Sequence, residues 1–328
     1  MSHQKRSCSD CHKLDRRGFV KTLGGAALAG AAAPIFFDPR FAHGAPTPTS
    51  TAETAVGRFY ASLSAEQKKA ICLPFNHEAR NRISANWHVT ETLIGDDFYT
   101  KDQRAIIDEI VRNITTEDGY ERLQRQMDDD DGGMDGYSVA VFGEPGAGKF
   151  QWEMTGRHLT MRADGNSVDK AAFGGPMVYG HGEENPKENL FFFQTKKANE
   201  VFQSLDPKQA ERALLQQKPQ EAAVQLQGPS GSFPGIGVDE LSNDQKELVE
   251  ATLKVLMAPY RSEDVDEAMS ILKNNGGLAQ LHMAFYQEED LESDKVWDIW
   301  RIEGPALVWH FRGAPHVHAY INIGTVST

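Results

Sequence analysis

At Tyr137 the apolar residues change their spacing. Upstream they recur every three to four positions, as Val56, Phe59, Tyr60 and Leu63 do within Ala55 to Ala70, and as Ile106, Ile107, Ile110 and Val111 do within Asp102 to Ile114. That is the period of an amphipathic helix. Downstream they alternate: Val139 and Val141 first, then Phe150, Trp152 and Met154 interleaved with Gln151, Glu153 and Thr155, the period of a strand with one buried face. A third helix is expected after Thr115 and Thr116. A central group of helices follows. One bears Ala198, Val201 and Phe202, and one covers Lys208 to Gln217 with Asp206 as cap and Pro207 at its first position. Another is capped by Ser242 with Gln245 and reaches Met257, and the last runs from Glu263 to Lys273 before Asn274-Asn275-Gly276-Gly277. The C-terminal end reads as a meander of strands over Leu278 to Tyr286, Val296 to Ile302, Ala306 to Arg312 and His316 to Ile323. Helices and strands come in blocks rather than in alternation. The expected class is therefore α+β, a mainly antiparallel sheet packed with an N-terminal and a central group of helices.

Two stretches imitate ligand loops. Gly143, Gly148 and Lys149 have the G-x-x-x-x-G-K spacing of a phosphate loop, but Phe150 stands where Ser or Thr would hold magnesium. A strand begins there, whereas phosphate binding needs the amides of a helix N-terminus. Gly143 to Gly148 is thus expected to be a hairpin connection, and no nucleotide is expected at Gly143 to Lys149. Asp128 to Asp131, followed by Gly132-Gly133, fails as a calcium loop, because counting from Asp128 puts Val139 at the twelfth position, where an acidic ligand is required. A solvated acidic loop is expected instead.

The N-terminus carries an address. Asp15-Arg16-Arg17-Gly18-Phe19-Val20-Lys21, followed by the Ala- and Gly-rich Thr22 to Phe37, has the form of a twin-arginine export signal, with small residues for cleavage at Ala42-His43-Gly44. The expected organisation is a removed signal peptide over 1–44, a flexible tether over 45–52 and a single domain over 53–328. The twin-arginine translocase is the expected partner, and the periplasm or the exterior the destination. Cys8-Ser9-Asp10-Cys11-His12 fits a haem-attachment motif, yet it precedes the arginines and leaves with the leader, so no haem is expected. Cys72 is then the only cysteine, which excludes an intrachain disulfide and a thiolate metal cluster. The formal charge is −13; the first 44 residues hold seven basic and three acidic side chains, so the remainder carries −17. That field disfavours nucleic acid and anionic membranes, and no apolar run beyond the leader is long enough to insert stably in a bilayer.

His316-Val317-His318 is the sharpest chemical signal. Residues two apart on a strand share a face with Cα atoms about 6.5 to 7 Å apart, so both imidazoles can reach one ion. Tyr320 and Asn322 continue that face. A four-residue loop over 312–315 would pair Phe311 with His316 and Trp309 with His318, setting the histidines against aromatic rings. His158 is the expected third ligand, on the Phe150, Trp152 and Met154 face of a strand continuing through Gly156 to Arg162. Three imidazoles without a thiol suit one zinc, copper or iron ion. The alternative is a set of hydrogen-bonded histidines on a half-buried sheet. Tyr320 and His181 are the candidate catalytic groups. Arg157, Trp152 and Tyr179 are the substrate-binding candidates, with Arg157 as an anion clamp. His282 and His310 read as packing residues, and 218–237 as a long surface connection.

From Phe75 to Gly324 the chain resembles the family known as domain of unknown function 3500, exported proteins of bacteria and some eukaryotes. The resemblance lies in Trp87, in Gly119-Tyr120, in Tyr137 to Phe142 with Gly143-Glu144-Pro145-Gly146, in Trp152 with Gly156-Arg157-His158-Leu159, and in His316-Val317-His318. Many members carry two adjacent histidines where this chain has Arg157-His158. Many also have Arg-Asp after the final His-x-His, where it has Ala319-Tyr320-Ile321-Asn322. What the resemblance implies is fold kinship rather than a reaction. Two functions are therefore expected in parallel: a metal-dependent enzyme, hydrolytic by default, or a non-enzymatic envelope protein that binds a small ligand or a metal.

Overall fold

The computed structural model describes residues 44–291 and 294–326; the expected leader, with Arg16, Arg17 and Cys8 to His12, lies outside the described residues. Helix α1 (Thr51–Ser62) opens at Thr51, so it takes in the end of the stretch expected as a tether. It packs with α2 (Ala65–Ile71), α3 (Lys101–Ile114) and α4 (Glu117–Asp131) to form the N-terminal group. Ser64, Thr100 and Thr116 each accept a backbone N–H in the first turn of the helix that follows them, which satisfies donors the helix leaves unpaired. The central group is α5 (Phe192–Ser204), α6 (Pro207–Ala213), α7 (Asn243–Met257) and α8 (Ser262–Asn274). The expected caps are present: Asp206 ahead of Pro207, and Ser242 in a reciprocal box with Gln245.

One eleven-stranded sheet runs through the molecule. Its strands are β1 (Cys72–Leu73), β2 (Ser138–Gly143), β3 (Phe150–Gly156), β4 (Leu159–Ala163), β5 (Met177–His181), β6 (Leu214–Leu215), β7 (Ile236–Gly237), β8 (His282–Tyr286), β9 (Ile299–Gly304), β10 (Leu307–Arg312) and β11 (Val317–Ile323). Their order is β1-β2-β3-β4-β5-β11-β10-β9-β8-β6, with β7 also on β8. Only the short outer pairs β1–β2 and β6–β8 are parallel. The pairing of β5 with β11 joins the early hairpins to the C-terminal meander. The fold is α+β with a mixed, mainly antiparallel sheet, as the block pattern predicts.

The two faces of the sheet are covered differently. Trp152, Met154, Leu159 and Met161 point into the core shared with α1, α3 and α4. Farther along, Phe285, Trp300 and Phe311 lie on the same side, where Phe202 of α5 meets Phe285 with ring centroids 5.0 Å apart. The opposite face is roofed by irregular chain: Ala85, Ile83 and Trp87 on one stretch, Ala222, Val224 and Leu226 on another. Backbone without regular partners is tolerable here because the polar residues on this face can bond to it.

Four expectations are corrected. Asp128 to Asp131 are not a solvated loop; α4 continues through them and stops at Gly132 in a left-handed conformation, and Asp130 is buried. β3 ends at Gly156 and returns as β4 from Leu159, so His158 stands in a tight turn with φ +56° rather than on a continuing strand face. Gly156 permits this, since a Cβ there would come 2.2 Å from the Tyr137 ring. In the meander Arg312 pairs with His318 and His310 with Tyr320, so neither Phe311 nor Trp309 faces a site histidine. That odd-numbered slip turns His318 and Tyr320 to the roofed face, away from the aromatic core. Lastly, the helix expected to Gln217 ends at Ala213, and Leu214 and Leu215 pair with β8 instead. The connection from Gly143 to Lys149 is the expected hairpin, with no helix at Lys149.

Candidate metal centre

Four parts of the chain meet at the end of the β5–β11 seam. His158 arrives on the β3–β4 turn, with its N–H on Ala85 O at 2.6 Å. His316 precedes β11 and His318 lies within it, opposite Gly180 of β5. A Cβ at Gly180 would sit 2.2 Å from Val317 O and 3.1 Å from His158 Cβ, so only glycine lets the turn approach this closely. The ring centroids are 5.1 Å apart for His158 and His316, 4.9 Å for His158 and His318, and 4.7 Å for His316 and His318. One nitrogen from each ring lies within 4.8 Å of the others. Three donors so spaced fall within about 3 Å of a common point, and a small closure brings them to the ~2.0–2.1 Å of an imidazole–zinc bond.

Carboxylates fix the rings from behind. Asp130 Oδ2 meets His158 Nδ1 at 2.8 Å and also accepts Gln126 Nε2 at 2.8 Å; its Oδ1 accepts the Gly182 N–H at 2.7 Å. Glu221 Oε2 meets His318 Nδ1 at 2.9 Å, and its Oε1 accepts Arg312 Nη1 at 2.8 Å. A carboxylate on Nδ1 holds the proton there and leaves Nε2 as a bare lone pair aimed inward. Burial alone would raise the Glu221 carboxyl, but His318 and Arg312 outweigh it and bring it down to about 2. Asp130 is lowered too, by His158 and Gln126 against the effect of burial. Burial, then the charges of His318, Arg312, His158 and Arg157, depresses His316 to about 4; burial also lowers His318. At neutral pH these two are uncharged imidazoles, the form that ligates.

His316 Nε2 and His318 Nε2 lie 3.0 Å apart, and Arg312 Nη2 lies 3.2 Å from His316 Nε2. A guanidinium only donates, so His316 Nε2 is an acceptor; His318 Nε2 is one as well, because Glu221 holds its Nδ1 proton. Two acceptor nitrogens thus approach to 3.0 Å, a spacing that a cation bound to both would favour. For nitrogens at ~2.0–2.1 Å from one ion, that separation subtends an angle of roughly 91 to 97°.

The other expected residues sort by face. Tyr320 is near, its ring 6.3 Å from that of His318, but it packs with Ala85, Val178, Val224 and Val308. Burial and the neighbouring Glu221 push its hydroxyl up to about 12. His181 has both nitrogens engaged, Nδ1 accepting Leu190 N–H at 3.3 Å and Nε2 facing Asp129 Oδ2 at 3.1 Å. Arg157 is exposed beside the cluster, and its backbone carbonyl accepts the Tyr137 hydroxyl at 2.9 Å. Trp152 is fully buried on the helix side of the sheet. Tyr179 is on that side as well: it donates to Gln194 Oε1 at 2.6 Å and borders a cavity of about 40 Å³ whose lining includes no cluster histidine. Of the two packing histidines, His310 is fully buried beside Arg301, and His282 is part-exposed on β8.

Asp130, Glu221 and Arg312 are the site residues that the residue pattern did not announce. Asp130 does carry a signal: it continues the inward row of Tyr120, Leu123, Gln126 and Met127 along α4, whose other acidic neighbours face out. Glu221 has none, since its connection shows no periodicity.

Fold and centre together define a single-sheet α+β protein with three convergent histidines backed by two carboxylates. The model of the family described as protein of unknown function (DUF3500) matches residues 45–322, most of the chain, and the protein belongs to that family. No curated protein and no solved structure matches it.

Proposed function

We propose that the protein is a metal-dependent enzyme of the cell envelope, hydrolytic by default, in which His158, His316 and His318 hold one zinc, copper or iron ion. The observation that carries this reading is the convergence of three imidazole nitrogens within 4.8 Å of one another, the Nε2 atoms of His316 and His318 being 3.0 Å apart. Three protein ligands, with no fourth among the described residues, is the pattern of catalytic rather than structural zinc. Such an ion would act as a Lewis acid and an activator of water. The chain's own part is to orient the imidazoles of His158 and His318 through Asp130 and Glu221, to keep His316 and His318 neutral by burial, and to place Arg312 beside them. Export through the twin-arginine pathway belongs to the same proposal and rests on the Asp15 to Lys21 motif, the Ala- and Gly-rich Thr22 to Phe37 and the cleavage site at Ala42-His43-Gly44.

Metal analysis of protein made without a polyhistidine tag should find close to one ion per chain. Changing His316 and His318 together to Ala should remove it while the far-UV spectrum persists. Equal metal in the wild type and the double variant, or none in either after incubation with zinc, copper and iron, would rule the centre out. A specific observation favours the alternative of a non-enzymatic metal- or ligand-binding protein: Asp130 and Glu221 are both committed to histidines and other donors, which leaves neither as a free base. A metal-loaded protein inactive on ester, amide and phosphoester panels would decide for that alternative.

A further inference from the structure

The geometry points to a substrate class. We propose that Arg312 is the anion-binding residue of this centre, so that the ligand is an oxyanion, a carboxylate or phosphate, held by one oxygen on the ion and another on the guanidinium. This inference rests on the metal reading above.

It follows from counting lone pairs. His316 Nε2 has one, and Arg312 Nη2 faces it at 3.2 Å. An ion claims the same lone pair, so loading the centre strips Arg312 Nη2 of its acceptor. The guanidinium cannot swing away to find another. Its Nη1 is tied to Glu221 Oε1 at 2.8 Å, its Nε donates to His316 O at 3.3 Å, and its side chain is only 13% exposed. An N–H left unpaired in such a place is costly, so the free donor favours an oxygen supplied from outside. Charge agrees. A divalent ion and Arg312 set against Glu221 and Asp130 leave one positive charge in excess, which selects an anion although the chain as a whole carries −13. Planar donors beside an ion suit a ligand with two or more terminal oxygens.

The test uses cobalt(II) as the probe ion, because its visible absorption reports changes in coordination. Wild-type protein, loaded one to one, is titrated with inorganic phosphate and separately with acetate. At least one should shift the spectrum, and the one that binds identifies the class. Arg312→Met should keep the cobalt and bind that anion at least tenfold more weakly. Arg312→Lys, which keeps the charge next to Glu221 but loses the fork, should also weaken it, and it decides the matter if the Met variant fails to load. Failure of the wild type to take up cobalt would remove the metal reading itself. Cobalt uptake with no response to either anion, or with equal affinity in wild type and Arg312→Lys, would overturn the role of Arg312 and leave the centre standing.

Discussion

His158 combines a ring proposed as a metal ligand with a left-handed backbone, φ +56°, that most side chains adopt only at a cost. Asn tolerates that conformation far better than a β-branched residue does. His158→Asn should therefore keep the thermal midpoint within a few degrees and lose the metal, whereas His158→Val should lower stability by about 1 to 2 kcal/mol as well, read from urea unfolding. Glu221→Gln should leave the fold intact and weaken metal binding about 10- to 100-fold, measured by competition with a chelator. At this scale His316-Val317-His318 is legible, because spacing along one strand dictates a shared face. The supporting residues are not. Asp130 acts on a residue 28 positions away, and Glu221 on residues 91 and 97 positions away, so nothing in the local pattern marks them.

Elements carry the next set of consequences. The β5–β11 pair depends on Gly180, and Gly180→Ala forces a methyl against backbone oxygen as well as against His158. It should destabilise by at least about 2 kcal/mol and abolish metal binding together, unlike His158→Asn, which does only the second. In the second turn of α8, Glu267 is buried near Asp164 and Asp264, and burial followed by those charges raises its carboxyl to about 8. A folded-state pKa above the ordinary 4.5 means that stability is complete below pH 4.5 and declines as pH rises toward 8, at up to about 1.4 kcal/mol per pH unit for one group. Glu267→Gln should remove that decline and raise Tm at pH 8 relative to the wild type, with little difference at pH 5. Helix ends were readable through Ser242, Gln245 and Asp206-Pro207, since capping is local chemistry. The β10–β11 register was not, because Arg312 stays in the strand to meet Glu221 and His316 O, a tertiary interaction that moves the loop.

Across the whole molecule the class was legible from blocks of period: helical before Tyr137, alternating after it. The order of the sheet was not. It closes by pairing β5 with β11, strands more than a hundred residues apart, and the Gly-rich Phe173 to Gly182 gives no sign of a central strand. One continuous sheet predicts one cooperative unfolding step, with near- and far-UV signals coincident; two separated transitions would contradict it.

The three histidines straddle that seam. His158 belongs to the earlier hairpins, His316 and His318 to the last strand, and neither set can assemble the centre alone. An ion bound there would act as a clasp fastened after the garment is closed, entering only once both halves of the sheet have met. Loading would then follow folding rather than guide it. The bound ion would tie the first-made part of the chain to its last-made strand, and slow their parting more than it speeds their joining.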